Sequence, residues 1–465
     1  MGVRRTPSIL AELAALGRLA VPIALNQAGM ALLGIVDTAV VGRVGAGPLA
    51  AVGLSNGIFF FVSVVGIGLM LGLDPFMSQS IGAGDAARAR HFAWQGVWIV
   101  LPTAAVLGIP LLTLPSLLVP FGIEPAVARD VKSFLALRLL GLPALLLAVG
   151  WSSYLQAAGR VRSVIWAVLA ANVSNFALDL LFVFGGGALP RWWGPVRELS
   201  PMGAPGAALA STISLCAEVA VLALAVRRIP LHALPKHSRR PRGRDIARVV
   251  RIGLPIGLQM CAEVGVFALA GLLAGRLGKE QLAAHQVALT LASFTFTAAL
   301  GIGSAGSVRV GRAIGARDSP SARRAGLAAF ATGASFMTVT ALGFRLFPWA
   351  LAALMTNDAA LSAAAAPLIA IAAVFQISDG IQAVGAGVLR GAGDTRFVFL
   401  ANLVGHYAIG LPASIALCFA LGWGVAGLWW GLCTGLSAVA VGLFARFWLL
   451  SRRALSPLEA LGLEG

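Results

Sequence analysis

Displaced by 233 positions, the chain matches itself: Pro22-Ile23 falls on Pro255-Ile256, Gly42-Arg43-x-Gly45 on Gly275-Arg276-x-Gly278, and Leu49-Ala50-Ala51 on Leu282-Ala283-Ala284. Farther along, Ile81-Gly82-Ala83-x-Asp85 falls on Ile314-Gly315-Ala316-x-Asp318 in the same register. Leu155-x-x-Ala158-Gly159-x-x-Arg162 matches Leu389-x-x-Ala392-Gly393-x-x-Arg396 one position out. A unit copied once confines the fold to an architecture of two like halves. The unit is apolar: the chain is 58% hydrophobic and 11% charged, with mean hydropathy +0.88, where soluble domains carry about 25% charged residues. Its solvent is lipid. Duplicated bundles of this kind mostly move solutes, because two halves that rock about a shared cavity can open it to either side in turn.

Apolar stretches long enough for a hydrocarbon core of about 30 Å recur at about 17–41, 50–74, 91–112, 131–155, 163–185, 203–226, 248–274, 282–307, 322–347, 361–389, 397–419 and 424–450. This predicts an all-α membrane protein of twelve transmembrane helices, divided as a six-helix half at 1–226, a basic linker at 227–251 and a second half at 252–465. Arginine sets the orientation. The N-terminus (Arg4, Arg5, Arg18) and every second loop (Arg88, Arg90; Arg160, Arg162; Arg227 to Arg251; Arg309, Arg312, Arg317, Arg323, Arg324; Arg390, Arg396) hold most of the cations. The intervening loops hold few, so both termini are expected in the cytoplasm. Six spans per copy is an even number, so the copies point the same way about an axis along the membrane normal. The opening Arg4-Arg5 and apolar run reads as a retained first helix rather than a cleaved leader.

A net charge of +17 raises the question of nucleic acid, but its loop-by-loop placement assigns it to topology instead. The stretch Arg227 to Arg251, with Pro230, Pro235 and Pro241, reads as a solvated topogenic loop rather than a nucleic-acid or headgroup site. Four Cys (Cys216, Cys261, Cys418, Cys433) and five His show no ligand spacing, so neither a disulfide framework nor zinc is expected. No Ser-His-Asp arrangement or HExxH stands in the chain, and the expectation is a protein that is not an enzyme and needs no cofactor.

Ionisable groups inside a span are costly and need a reason. Asp37 is 19 residues from Arg18 and Asp179 is 17 from Arg162, which puts both roughly 25 to 28 Å above the inner face. Glu263 is 12 residues from Arg251 and Asp379 is 11 from Arg390, roughly 17 to 18 Å up. Two acids thus share a level in each copy. Asn175 lies one turn before Asp179 on the same face, with Asn172 nearby. The duplication does not repeat the acids: Asp37 falls on Ala270 and Glu263 on Met30. Glu218 reads as a group near the inner edge, and Asp74, before Pro75, as interfacial. His406, beside Tyr407 and a turn after Asn402, reads either as cavity lining or as a satisfied core histidine; Gln259, Gln286 and Gln382 are further candidates for lining. Pro22 and Pro255, at matching places, should bend their helices. Gly66-x-Gly68-x-x-x-Gly72 sits in an apolar helix with no strand before it and reads as helix packing rather than a phosphate loop.

These residues resemble the multidrug and toxic compound extrusion (MATE) transporters, NorM-like branch, along nearly the whole chain. The matching features are Pro22 with Val36-Asp37-Thr38 and Gly42-Arg43, Gln79-x-x-Gly82-Ala83-Gly84, Gly253-Leu254-Pro255 with Glu263, and Gln376-x-x-Asp379-x-x-Gln382. The most specific is Gly387-Val388-Leu389-Arg390-Gly391-Ala392-Gly393-Asp394-Thr395. The resemblance implies two pseudo-symmetric six-helix lobes around a central cleft in a bacterial inner membrane, working as a monomer. They would export cationic or amphiphilic organic compounds against inward protons or sodium. By position, Asp37, Asn175 and Asp179 look like a first-lobe cation site and Glu263 with Asp379 like a second; sodium is held open at either. Some sodium-coupled members have Tyr where Phe375 stands, which tilts the reading toward protons. The rival is a flippase or exporter of a lipid-linked or other endogenous metabolite from the same superfamily. It predicts interior arginines, and the spans hold almost none besides Arg138.

Overall fold

The computed structural model describes residues 9–187, 191–229 and 239–458. Arg4, Arg5, Pro230 and Pro235 lie outside them, as do both termini. Among the described residues twelve helical stretches are long and apolar enough to cross a membrane, as many as the apolar runs in the sequence. They are α1 (Ile9–Val41), α2 (Ala46–Leu71) continued by α3 (Leu73–Gly82), α4 (Ala86–Thr113), α5 (Pro125–Ala157), α6 (Val161–Phe184), α7 (Ala204–Arg227), α8 (Gly243–Arg276), α9 (Lys279–Gly315), α10 (Ser319–Leu346) and, after the short α11 (Pro348–Met355), α12 (Ala359–Ala392). The eleventh span is α13 (Thr395–Leu403) and α14 (Leu411–Ile415) joined and followed by π-helical turns, and α15 (Gly424–Leu450) is the twelfth. Among the described residues every regular element is helical, as lipid demands of a backbone that must satisfy its own polar groups. Large apolar side chains such as Leu101, Trp166, Val339 and Val441 are 65% to 69% exposed, a surface suited to acyl chains and not to water.

The helices divide into two compact units. One comprises residues 1–25, 74–85 and 254–465; the other comprises 26–73 and 86–253. The chain therefore changes unit inside α1, three residues after Pro22, and inside α8, immediately before Pro255. Both helices run on through their prolines.

In the first unit the repeated motif meets its own copy. A Cβ on Gly82 would run into the Arg312 carbonyl, one on Gly315 into the Gln79 carbonyl, and one on Gly311 into the Ser78 hydroxyl. By the 233-residue shift the first two contacts map onto each other and the third onto itself, so α3 and α9 cross backbone to backbone through the same residues of each copy. Two further glycine ladders follow the same logic. Gly387 and Gly391 of α12 lie against the Gly303 and Ser307 backbone of α9, and Gly427, Gly431 and Gly435 of α15 face Leu417, Ser414 and Gly410. The Gly387-to-Thr395 motif is thus largely a packing device. Its Gly391 carbonyl accepts from Gln79 Nε2 at 3.2 Å.

Several arginines read as loop residues are parts of helices. Arg90 is 7% exposed; it donates to the Tyr154 hydroxyl at 3.1 Å and the Val226 carbonyl at 2.6 Å, joining α4, α5 and the end of α7. Arg390 pairs with Asp74 at 3.4 Å, with side chains 11% and 10% exposed. Asp74 is therefore buried rather than interfacial, because helix α3 carries the chain on past Pro75. The linker is also shorter than 227–251: α8 starts at Gly243, with Val249 buried at 0% exposure. Residues 239–242 are fastened rather than solvated. Gln95 Nε2 donates to the Arg240 carbonyl at 2.9 Å, Trp98 Nε1 to the Arg239 carbonyl at 2.9 Å, and the Arg242 amide to Gln95 Oε1 at 2.8 Å.

Candidate functional site: two buried acid clusters

In the second unit, α1, α6 and α7 converge on Asp37, which is 1% exposed. Asn175 Nδ2 donates to Asp37 Oδ1 at 3.0 Å and Ser211 Oγ donates to Asp37 Oδ2 at 2.7 Å. Asn175 Nδ2 also lies 3.3 Å from Ser211 Oγ, closing the ring. Asp179, one turn after Asn175 on α6, is 0% exposed and brings its carboxyl beside that of Asp37. Neither Asp179 oxygen receives a bond from a donor group. One carboxyl is therefore held by two donors while its neighbour has none, in a place where lone charge is expensive.

Of the residues named from sequence here, Asp37, Asn175 and Asp179 come together and Asn172 does not. Asn172 donates to the Gly29 and Val168 carbonyls at 2.9 and 2.8 Å, tying α6 to α1; its amide is committed to backbone and it belongs to the scaffold. Ser211 is the member that sequence reasoning missed. It stands 16 residues before Arg227, about 24 Å by helical rise, close to the level counted for the two acids.

In the first unit, Glu263 of α8 is half-buried, and its Oε2 accepts from Gln259 Nε2 at 3.1 Å and from Gln382 Nε2 at 3.2 Å. Gln382 also bonds Asn402 Oδ1 at 3.0 Å, which leads the network into α13. Asp379, one turn before Gln382, is 5% exposed and lies within Coulombic reach of Glu263. His406 is 2% exposed, edge-on to Phe267 at 6.4 Å between centroids, with its Nε2 unpartnered; it sits in the core beside the cluster without bonding to it. Gln286 is exposed and enters neither cluster. Phe375 is 2% exposed and packs edge-on to Phe267 and Trp429 at 5.9 and 5.4 Å. Gln376, which the sequence offered only as the head of a motif, has its Oε1 accepting from Thr295 and Thr340 at 2.7 and 2.9 Å and links α9 and α10 to α12. Glu218, read as an inner-edge group, is 1% exposed with no bond to its Oε2.

Both clusters have the same chemical character: two carboxyls, amides and at most one hydroxyl, suited to holding a single positive charge and lacking a nucleophile with a base. Among the described residues no group of three or more His, Cys, Asp or Glu could ligate a metal ion.

Comparison with known proteins agrees with this architecture. The MatE family model matches residues 22–181 and 255–416, one match in each copy of the repeat. The multidrug resistance protein NorM of Burkholderia vietnamiensis is 34% identical over 464 residues, covering 96% of this chain and 97% of that one. Among solved structures, the eukaryotic MATE transporter AtDTX14 superposes with a TM-score of 0.84 over 96% of this chain and 98% of its own. The Vibrio cholerae MATE transporter VcmN, in its bent form, does so with 0.83 over the same shares. Both are 20% identical to this chain, a likeness of fold. The chain belongs to the MatE family of multidrug efflux transporters and is a multi-pass membrane transporter, not an enzyme.

Proposed function

We propose that the protein exports cationic or amphiphilic organic compounds across the bacterial inner membrane in exchange for inward protons or sodium ions, by alternating access and as a monomer, with both termini in the cytoplasm. The observation that carries the exchange is the pair Asp37 and Asp179. Two carboxyls side by side out of water tolerate one added positive charge well and two badly. A proton, a sodium ion and the ammonium of a passenger therefore compete for one place, and the loss of one favours the arrival of the next. Glu263 and Asp379 offer a second such place. Phe375 supplies no oxygen there, which favours protons over sodium. One charge moving down about 100 mV yields roughly 2.3 kcal/mol, enough for a useful uphill gradient of drug. The arginine bias of alternate loops supports the orientation, and Pro22 and Pro255, beside the points where the chain changes unit, are the bendable positions.

The test is ethidium efflux from proteoliposomes for Asp37→Asn, Asp179→Asn, Glu263→Gln and Asp379→Asn. At least the first pair should lose exchange, and wild-type rates in all four would end this reading. Ethidium added to vesicles holding an imposed proton or sodium gradient should dissipate one of the two, which identifies the coupling ion.

A further inference from the structure

Arg138 stands well inside α5, a span of 33 residues, where a guanidinium needs a partner. Among the described residues it has neither hydrogen bond nor ion pair. Its Cζ sits 4.4 Å from the centroid of the Phe59 ring, its Nε is sealed off with nothing to donate to, and the residue as a whole is half-buried. The crossing of α5 and α7 fixes its position. Thr212 Oγ1 donates to the Leu137 carbonyl at 3.0 Å, and a Cβ on Gly141 would meet Thr212 Oγ1 at 3.0 Å. Thr212 follows Ser211, the donor to Asp37, so Arg138 is carried on the helix that crosses α7 beside a member of the cluster. Asp37 and Asp179 both lie within Coulombic reach of the guanidinium. An arginine that merely balanced them would close on a carboxylate in the bidentate pairing its planar fork favours. This one stays apart, one face on an aromatic ring and its donors free.

We propose that Arg138 is the anion-binding arm of a two-point substrate site: the Asp37 cluster takes the positive group of a passenger, and Arg138 takes a carboxylate on the same molecule. The compounds favoured are amphoteric, with an ammonium and a carboxylate, over bare organic cations. This rests on the export reading and narrows its substrate class.

The experiment compares norfloxacin with its ethyl ester, which keeps the ammonium and blocks the carboxylate, in proteoliposomes of the full chain under imposed inward gradients of both protons and sodium ions. The expected KM is lower for the acid by about tenfold, the size of one charge-assisted hydrogen bond. Arg138→Gln should bring the ratio of the two KM values to about one, and Arg138→Lys should restore part of it; because the ratio is taken within one protein, it does not depend on the rate each variant retains. Equal KM values for acid and ester in the wild type overturn the proposal without any variant, and so does a ratio that survives Arg138→Gln. Ethidium separates the two readings. Should ethidium move, and stop with Asp37→Asn, while acid and ester go alike, the arm is wrong and export stands; should neither ethidium nor norfloxacin move in the wild type, both fall.

Discussion

Arg317 holds φ at 56°, the one non-glycine among the described residues with a positive value, where the other copy has Gly84 at 81°. The two positions do the same work: the following amide closes back over the helix end, Asp85 to the Ser80 carbonyl and Asp318 to the Ala313 carbonyl, both at 2.9 Å. A side chain in this region costs about 1–2 kcal/mol that glycine avoids, offset in part by glycine's entropy. Arg317→Gly should therefore raise stability by about 1 kcal/mol, read as a higher unfolding temperature in detergent. At the cluster, Ser211→Ala removes a charge-assisted bond worth about 1.5–3 kcal/mol. It should slow ethidium efflux several-fold with protein yield retained. Ser214→Ala, whose hydroxyl bonds only the Ala210 carbonyl of its own helix at 2.8 Å, should not. The acids were legible because charge in a span is rare and depth can be counted. Ser211 was not, because a hydroxyl in a span can bond its own helix and so raises no alarm. Asn172 misled because an amide has two ways to be satisfied, by a site or by backbone, and sequence does not say which.

The helices show where small residues are forced and where they are free. Gly82→Ala puts a methyl into the Arg312 carbonyl, an overpacking that costs about 1–3 kcal/mol or more, and should cut the yield of folded protein from detergent extracts. Gly57→Ala, in α2 with nothing within 4 Å of the added carbon, should be neutral or stabilising by up to about 1 kcal/mol. The number of spans was readable because lipid enforces a minimum apolar length. Their cytoplasmic ends were not. An arginine near a span end looks alike whether it faces water or, as with Arg90 and Arg390, is drawn inward to a carbonyl or a carboxylate. The eleventh span was legible as apolar but not as π-helical; its wide turns lie where Gly427 and Gly435 of α15 let another backbone come close.

For the molecule as a whole, duplication was plain in the sequence, while the allotment of segments was hidden from it, because pairing among helices leaves no periodic trace. Residues 1–25 belong with the bulk of the second copy, and the start of α8, up to Gly253, belongs with the first. Each half of the gene thus encodes the opening piece of the other half's body. A chain cut within 230–238 would leave two fragments, neither able to complete itself. Expressed singly, each should be degraded; expressed together, they should recover ethidium export, seen as lower cell fluorescence than with either alone. Accumulation of one fragment as a well-behaved species by itself would contradict this. The same reciprocity bears on ancestry: two free-standing copies could have traded their leading segments before fusion, so that joining them end to end fixed an exchange already in place.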